Sequence, residues 1–174
     1  MEKGLIHIYT GNGKGKTTAA MGLVSRAAGY NKKIYIMQFL KGRKTGEKIF
    51  FAQFENIHFK RAHKSKKFIK NMNINEKKKL TIKIEKVFKK VKKIIEQSEY
   101  EIIILDEIMG LINNDIIEVD DVISTIGNNM EKEIILTGRD APQELIDTAD
   151  YVTEMKAIKH PYTKGISARK GIEY

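Results

Sequence analysis

The stretch YTGNGKGKTT, residues 9–18, decides the fold. It places Gly-Lys-Thr behind a glycine-rich turn, as phosphate-binding loops do. The common loop pattern, G-x-x-x-x-G-K-[ST], has its first glycine five residues before the second. Here Thr10 stands at that position and the glycine comes one residue later, at Gly11. The stretch therefore resembles a phosphate-binding loop that is one residue short.

The neighbouring sequence supplies the two elements that such a loop needs. The pattern predicts a strand over Leu5–Tyr9, a turn over Gly11–Gly15 and a helix over Lys16–Ala28. Glycines let successive backbone N–H groups curl around an anion, and the helix N-terminus adds a favourable dipole. A phosphate site is therefore the first functional expectation.

Two further signals predict a bound phosphate group and Mg²⁺ as the ligands. We expect Lys16 to contact phosphate oxygens and the hydroxyl of Thr17, or of its neighbour Thr18, to ligate Mg²⁺. The segment IIILDE is an apolar strand that ends in two acids, Asp106 and Glu107. A carboxylate at the carboxyl end of a buried strand can hold the metal directly or through water. The sequence leaves open which acid does so and which caps the following helix.

Short apolar runs alternate with helical patterns along the chain, which predicts one α/β domain over residues 1–174. This alternation implies a mostly parallel sheet flanked by helices on both faces, and with the phosphate-binding loop it resembles the P-loop NTPase-like class of the recombinase type. Further strands are predicted over Lys33–Phe39, Ile57–Ala62, Glu101–Leu105, Glu133–Thr137 and Tyr151–Ile158. Further helices are predicted over Glu47–Phe54, over Val119–Asn128 and from Asp140 to about Thr148. The polar, basic stretch at residues 62–75 is expected to be the least ordered.

Composition excludes several classes of protein. With no cysteine among 174 residues, disulfides, thiolate zinc sites and cysteine nucleophiles are ruled out. No apolar run approaches the ~18 residues that span a bilayer, and the first residues lack the apolar core of a signal peptide. We therefore expect a cytoplasmic protein without a membrane partner.

The net charge of +10 is concentrated in one segment. Residues 60–93 hold fifteen Lys or Arg against two Glu, so this segment carries +13 and the rest of the chain −3. The same segment has apolar residues at helical spacing, namely Leu80, Ile84, Val87, Phe88, Val91, Ile94 and Ile95. The pattern favours an amphipathic helix with a solvated lysine face. A nucleic-acid surface and a positive field that attracts anionic ligands remain alternatives.

Seven segments together resemble a known family. They are TGNGKGKTTAA (10–20), QFLKG (38–42), ILDE (104–107), LTGRDAP (136–142), ADYVTEM (149–155), KH (159–160) and KGIEY (170–174). In this order they are similar to the motifs of the P-loop type ATP:corrinoid, or cob(I)alamin, adenosyltransferases. The resemblance runs nearly from end to end, and the C-terminal motifs are its most specific part.

The resemblance implies a chemistry that accounts for the short loop. In that family the Co(I) of a reduced corrinoid attacks C5′ of ATP, and the whole triphosphate leaves. The family is thought to bind ATP in reverse, so that the loop grips the leaving group. Because Co(I) is itself a strong nucleophile, positioning and stabilisation of leaving-group charge suffice. The sequence accordingly offers no convincing pair of nucleophile and general base.

The resemblance implies site residues at the positions that match the motifs of the family. The implied nucleotide contacts are Gly11, Asn12, Gly13, Lys14, Gly15, Lys16, Thr17, Thr18 and Arg139. The implied catalytic residues are Lys16, Thr17 and Glu107, and the implied metal ligands are Thr17, Asp106 and Glu107. Candidate contacts to the substrate are Gln38, Lys41 and Phe68. Arg139 follows a buried strand, where ligand contacts gather, although a structural ion pair is equally open.

The partners implied by the resemblance are a reduced corrinoid, a flavoprotein reductant and a second copy of the chain in a homodimer. Two other functions stay open. One is a nucleoside or small-molecule kinase on the same scaffold, which would produce ADP. The other is an ATP-dependent nucleic-acid-binding protein that uses the basic segment and binds with steep salt dependence.

One family feature is missing, which yields a prediction. Members often carry a GFTW-like aromatic segment that helps to keep the lower base of the corrinoid off cobalt. Residues 61–71 read RAHKSKKFIKN instead, so Phe68 is the candidate replacement. We expect Phe68→Ala to slow adenosylation of cobalamin more than that of cobinamide, which lacks the attached lower base. If Phe68→Ala slows adenosylation of the two corrinoids by the same factor, Phe68 is not part of the site.

Overall fold

The computed structural model describes residues 3–42, 45–63, 67, 69–128 and 131–174. This part of the chain contains one sheet, and its strands are β1 (Ile6–Thr10), β2 (Ile34–Gln38), β3 (Ile57–Arg61), β4 (Ile102–Asp106), β5 (Glu133–Thr137) and β6 (Tyr151–Glu154). The spatial order is β3-β2-β4-β5-β1-β6, and every neighbouring pair is parallel. The predicted α/β class is confirmed, and within the described residues the sheet is wholly parallel.

Helices cover both faces of the sheet, as predicted. They are α1 (Lys16–Ala28), α2 (Gly46–Phe51), α3 (Ile74–Gln97), α4 (Met109–Ile112), α5 (Val119–Gly127) and α6 (Gln143–Asp147), with 3-10 turns at 69–71 and 161–164. One core packs α1 and α2 against alternate residues of β2 and β4, such as Ile36 and Ile104. The other packs α3, α5 and α6 against the intervening residues, such as Met37 and Leu105. Burial on both faces explains why the inner strands are nearly continuous apolar runs.

Polar side chains gather at the carboxyl ends of the central strands. Thr10, Gln38, Asp106 and Thr137 each end a strand, and all are buried. The sheet register places Gln38 beside Asp106. Buried polar groups need hydrogen-bond partners, so this edge must contain a network. It is also the edge at which parallel α/β sheets bind ligands.

Several predicted boundaries are corrected by the structure. β6 ends at Glu154 instead of Ile158, because the chain turns from Met155 onward to lie against the glycine-rich loop. α6 begins at Gln143 instead of Asp140, since Asp140 has φ of 51° and Pro142 is the N-cap. α2 ends at Phe51, three residues before the predicted end.

One short helix was not predicted, and the long helix α3 starts within the stretch expected to be least ordered. The four-residue α4 was not predicted, because so few residues carry no helical period. α3 begins at Ile74, inside the stretch expected to be least ordered, and Ala62 at the start of that stretch is buried in the core.

The basic helix α3 has the predicted amphipathic design. A capping box starts it, in which the Asn73 side chain accepts the Glu76 N–H and the Glu76 carboxylate accepts the Asn73 N–H. The buried stripe consists of Leu80, Ile84, Phe88, Val91 and Ile95. Its exposed lysines are Lys77, Lys78, Lys79, Lys83, Lys86, Lys89, Lys90 and Lys93. No helix of the described residues combines the length and apolar character needed to cross a membrane.

The two faces of α3 should differ in their contribution to stability. We expect Ile84→Ala to lower the free energy of unfolding by about 2–5 kcal/mol, because the side chain is fully buried and leaves a cavity. Lys86→Ala on the exposed face should change it by less than about 0.5 kcal/mol. Urea unfolding followed by circular dichroism measures both. A comparable loss in the two variants would contradict the solvated-face interpretation.

Candidate functional site

The glycine-rich loop is short because Thr10 belongs to the strand. Thr10 ends β1, where it pairs with Glu154 of β6, and its carbonyl oxygen accepts the Met155 N–H at 2.9 Å. Its hydroxyl oxygen accepts the Ala141 N–H at 3.2 Å. The turn therefore starts at Gly11, and helix α1 starts at Lys16. A residue of regular structure occupies the position of the usual first glycine.

The segment after β6 presses on the loop and requires its glycines. A Cβ on Gly11 or Gly13 would lie 2.5 or 2.6 Å from the Met155 carbonyl oxygen. Gly11 also has φ of 94°, in the left-handed region. The Gly13 N–H donates to the Met155 carbonyl oxygen at 2.6 Å, and the Ala157 N–H donates to Asn12 Oδ1 at 3.0 Å. One backbone amide of the loop is thus used by the protein itself.

Lys16 is folded back into its own loop. Its ammonium donates to the carbonyl oxygens of Gly11 at 2.7 Å and Gly13 at 2.8 Å, and the side chain is buried. Burial, and then the nearby charge of Arg139, lower the pKa of Lys16. The lysine is therefore positioned at the loop before any phosphate arrives.

Asp106 is the centre of the network at the sheet edge. It is fully buried, and Oδ1 accepts the hydroxyls of Thr17 at 2.8 Å and Thr137 at 2.7 Å. Oδ2 accepts the side-chain amide of Gln38 at 2.9 Å and lies 3.3 Å from the Lys41 ammonium. The carboxylate thus joins α1, β2, β4 and β5 at one point.

Gln38 and Lys41, expected as substrate contacts, both lie against Asp106. Gln38 is fully buried, and its side-chain oxygen accepts Arg61 Nε at 2.7 Å, so it lies beneath the site. Lys41 also donates to Thr17 Oγ1 at 2.7 Å, and about 28% of its side chain is exposed. Lys41 borders the cleft described below, whereas Gln38 supports the acid from the interior.

Unlike Asp106, whose carboxylate is held by hydrogen bonds in the interior, Glu107 lies at the cleft. Its φ is 65°, and its N–H donates to Thr137 Oγ1 at 3.0 Å. Within the described part of the chain its carboxylate accepts no hydrogen bond, and it faces the cleft near Lys16 and Lys41. Burial, and then the negative charge of Asp106, raise the pKa of Glu107. A strained backbone and a desolvated carboxylate without a partner are typical of functional residues.

A cleft of about 580 Å³ opens between the loop and the C-terminal segment. Its lining includes three acids, Glu47, Glu107 and Glu173, and a larger number of cationic side chains. The cations are Lys14, Lys16, Lys41, Arg139, Lys156, Lys159 and Arg169. This excess of positive charge suits a polyanion such as a triphosphate. Asn12 and Thr18 also line the cleft, so every predicted nucleotide contact except the buried Gly11 borders it.

Arg139 lies at the cleft as the ligand-contact interpretation requires. Its side chain is exposed and forms no ion pair with the other described residues. Asn113 fixes the backbone there, because its side-chain amide donates to the Arg139 carbonyl oxygen at 3.0 Å. The charge of Arg139 acts on both Lys16 and Glu107.

The closing segment contributes residues that motif reasoning did not identify. Glu173 accepts Lys14 Nζ at 3.0 Å and an Arg169 guanidinium nitrogen at 3.1 Å. Hydrogen bonds from Arg169, and then from Lys14, lower the pKa of Glu173 to about 2. Local patterns could not reveal this contact to the loop, and only the KGIEY motif pointed to the segment. Phe68, the remaining candidate, lies outside the described residues, so its role stays a prediction.

The donors at the edge fit a magnesium ion that is shared with a phosphate ligand. Among the described residues no group of three or more His, Cys, Asp or Glu forms a closed metal cage. Mg²⁺ commonly uses one or two carboxylates together with waters and substrate phosphates. Thr17, Asp106 and Glu107 offer that set, and the Lys41 ammonium already lies against two of these residues.

Replacement of Glu107 should stabilise the protein at neutral pH. The raised pKa means that the folded state disfavours the ionised carboxylate. We expect Glu107→Gln to unfold at higher urea concentration than the wild type above the folded-state pKa. This gap should close as the pH falls below the usual range of a glutamic acid. The exposed Glu144→Gln serves as control and should show no gap; an unchanged midpoint in Glu107→Gln would contradict the desolvation argument.

Comparison with known proteins finds similarity over nearly the whole chain. A family model described as ATP:corrinoid adenosyltransferase BtuR/CobO/CobP matches residues 2–174. The chain is 31% identical over 176 residues to a corrinoid adenosyltransferase of Pseudomonas aeruginosa, covering 99% of this chain and 85% of that protein. It is 33% identical over 178 residues to a corrinoid adenosyltransferase of Sinorhizobium, covering 99% and 81%. With the Escherichia coli K12 corrinoid adenosyltransferase it shares 28% identity over 174 residues, covering 99% and 87%.

Proposed function

Because this chain belongs to the ATP:corrinoid adenosyltransferase family, we propose that its cleft holds ATP for transfer of the 5′-deoxyadenosyl group to a reduced corrinoid. The observation that carries the proposal is the pairing of the short loop with Asp106. Lys16 and Thr17 begin α1 at the loop, and Thr17 donates to the buried acid of the neighbouring strand. The cationic cleft above them suits the triphosphate of ATP.

The reaction needs little from protein side chains beyond positioning. A lone pair of Co(I) attacks C5′, a cobalt–carbon bond forms, and the C5′–O bond breaks. The electron pair of that bond leaves with tripolyphosphate, and cobalt is formally oxidised from Co(I) to Co(III). No proton must be removed from the nucleophile, so a general base is not required. The loop must instead bind the departing triphosphate more strongly as its charge increases.

Lys16 has the geometry for that role. Its ammonium lies 2.7 and 2.8 Å from two loop carbonyl oxygens, and rotation of the side chain would turn it toward a phosphate oxygen while the loop backbone stays in place. A phosphate is a charged acceptor and forms stronger hydrogen bonds than carbonyl oxygens do. Lys14 and Arg139 border the same cleft and add positive charge along the leaving group.

Thr17, Asp106 and Glu107 would hold Mg²⁺ beside the phosphates. The ion supplies positive charge that stabilises the leaving triphosphate. Asp106 Oδ2 and Thr17 Oγ1 already contact the cationic ammonium of Lys41 and would serve as oxygen ligands of the ion. Glu107 supplies a further carboxylate that accepts no hydrogen bond from the described residues. We therefore assign Asp106 to fix Thr17 and the ion, and Glu107 to bind the ion or its water.

We extend the proposal to the partners that the family resemblance implies. Co(I) is a strong reductant, so an electron donor must reach the bound corrinoid, and a flavoprotein would supply single electrons at low potential. A homodimer is the corresponding proposal for the assembly. Sedimentation velocity at several protein concentrations measures the oligomer, and electron transfer from a reduced flavoprotein to the enzyme-bound corrinoid measures the donor.

The activity is tested by anaerobic incubation with ATP, Mg²⁺ and chemically reduced cobalamin. We expect tripolyphosphate together with the absorption spectrum of a cobalt–carbon bond. Lys16→Met should lower the rate by at least about a hundredfold, as expected for loss of a charged donor to the leaving group. Lys93→Met, on the exposed face of α3 and outside the lining of the cleft, is the matched control and should retain the wild-type rate.

Other products would identify another function. ADP in place of tripolyphosphate would indicate the kinase alternative. ATP hydrolysis that depends on nucleic acid, and not on corrinoid, would indicate a role for the basic helix. Either result would overturn adenosyl transfer.

A further inference from the structure

We propose that Lys41 is a positioning residue that serves as an internal counter-ion for the metal site. It occupies the site in the nucleotide-free protein, and Mg²⁺ and the triphosphate displace it together. This inference rests on the proposed function, because it takes Mg²⁺ to bind at Thr17 and Asp106.

The contacts of Lys41 carry the inference. Its ammonium donates to Thr17 Oγ1 at 2.7 Å and lies 3.3 Å from Asp106 Oδ2. Thr17 Oγ1 donates in turn to Asp106 Oδ1, so the three groups form a closed set. The ammonium thus contacts two of the three residues that the sequence motifs identify as metal ligands. A cation is already bound where a cation is expected.

Burial of Asp106 explains why such a counter-ion is needed. Its side chain is fully buried, and a buried carboxylate without a compensating charge destabilises the folded state. Gln38, Thr17 and Thr137 donate hydrogen bonds, but they are neutral groups. The guanidinium of Arg61 is close enough to feel the charge, yet its Nε hydrogen bond goes to Gln38. Lys41 brings its positive charge directly to the carboxylate.

Lys41 is anchored at its backbone and free to move at its tip. Phe39 before it is fully buried, and the Phe39 N–H donates to the Asp106 carbonyl oxygen at 3.0 Å. Leu40 packs on the core, so close to Gly110 that a Cβ there would lie 2.7 Å from Leu40 Cδ1. The Lys41 side chain is about 28% exposed and borders the open cleft. Its ammonium can therefore leave without any change in the fold.

Lys41 and a metal ion cannot share these oxygens. Mg²⁺ binds its oxygen ligands at about 2.0–2.1 Å, which would place two positive charges against the ammonium in a poorly solvated site. On displacement, the ammonium would turn into the cleft, where the incoming triphosphate carries negative charge. Metal alone must expel Lys41 without compensation, whereas metal with ATP provides it a new partner. Binding of metal and nucleotide should consequently be coupled.

The test measures metal affinity without nucleotide. Mn²⁺ is titrated into the full-length protein and free Mn²⁺ is followed by electron paramagnetic resonance. We expect Lys41→Met to bind Mn²⁺ at least about tenfold more tightly than the wild type, because the competing charge is gone. Lys159→Met removes a charge that borders the same cleft but forms no hydrogen bond or ion pair with Asp106, and it should change the affinity by less than about twofold. An unchanged affinity in Lys41→Met, or an equal gain in Lys159→Met, would overturn the inference.

Thermal unfolding provides a second readout. Lys41→Met leaves Asp106 without its ion pair, so the melting temperature should fall and should be restored by Mg²⁺ alone. The wild type should show no comparable shift with Mg²⁺ unless ATP is present. If Lys41→Met does not fold, the Mn²⁺ titration and the thermal unfolding are measured on Lys41→Gln, which keeps a side-chain hydrogen-bond donor. Loss of stability in the folded variant that Mg²⁺ cannot restore would count against a counter-ion role.

Failure of the proposed function would look different. Wild-type adenosyl transfer that proceeds without divalent metal would overturn the Mg²⁺ assignment itself. Metal-dependent transfer combined with unchanged Mn²⁺ affinity in Lys41→Met would overturn only the role of Lys41.

Discussion

A single buried carboxylate organises the functional edge of this protein. Asp106 ends the central strand β4, and every polar atom of its side chain is engaged by a neighbouring element. Burial of a charge is costly, and the cost is offset only when partners are fixed at good geometry. The result is a rigid junction of three strands and the helix that follows the loop. The position of Thr17, and hence of the loop, depends on this junction.

The second constraint comes from the segment after β6. Met155 and Ala157 bond to the loop, and Met155 leaves no room for side chains at Gly11 and Gly13. The loop is therefore not a flexible flap that closes around phosphate. It is clamped between the start of α1 and the C-terminal segment, which favours a preorganised anion site. A loop that begins one residue late follows from the same packing, since Thr10 must stay in register with β6.

Short-range patterns predicted most of the fold and many of the residues that the structure gathers at the cleft. The apolar runs of β2, β4 and β5 correspond to strands that are buried on both faces of the sheet. The amphipathic period of α3 corresponds to a helix that buries one stripe. The glycine-rich turn and the paired acids Asp106 and Glu107 are likewise local features that can be recognised in one sequence. The function of the short loop came from the resemblance, because spacing alone does not reveal which bond of ATP is broken.

The remaining features could not be predicted because they depend on contacts between distant segments. Glu173 meets Lys14 across nearly the whole chain, and nothing near either residue signals the pairing. Thr137 bonds both Asp106 and the backbone of Glu107, and neither its place at the end of a strand nor the LTGRDAP motif reveals these contacts. The early end of β6 has the same origin: apolar residues continue after Glu154, but the backbone turns toward the loop from Met155 onward.

The contact between the loop and the C-terminal segment can form only late in protein synthesis. Asn12 and Ala157 are 145 residues apart, so the loop leaves the ribosome long before the segment that clamps it has been made. A nascent chain would have its phosphate-binding residues but no finished site, and ATP could stabilise the protein only after nearly all of it had been translated.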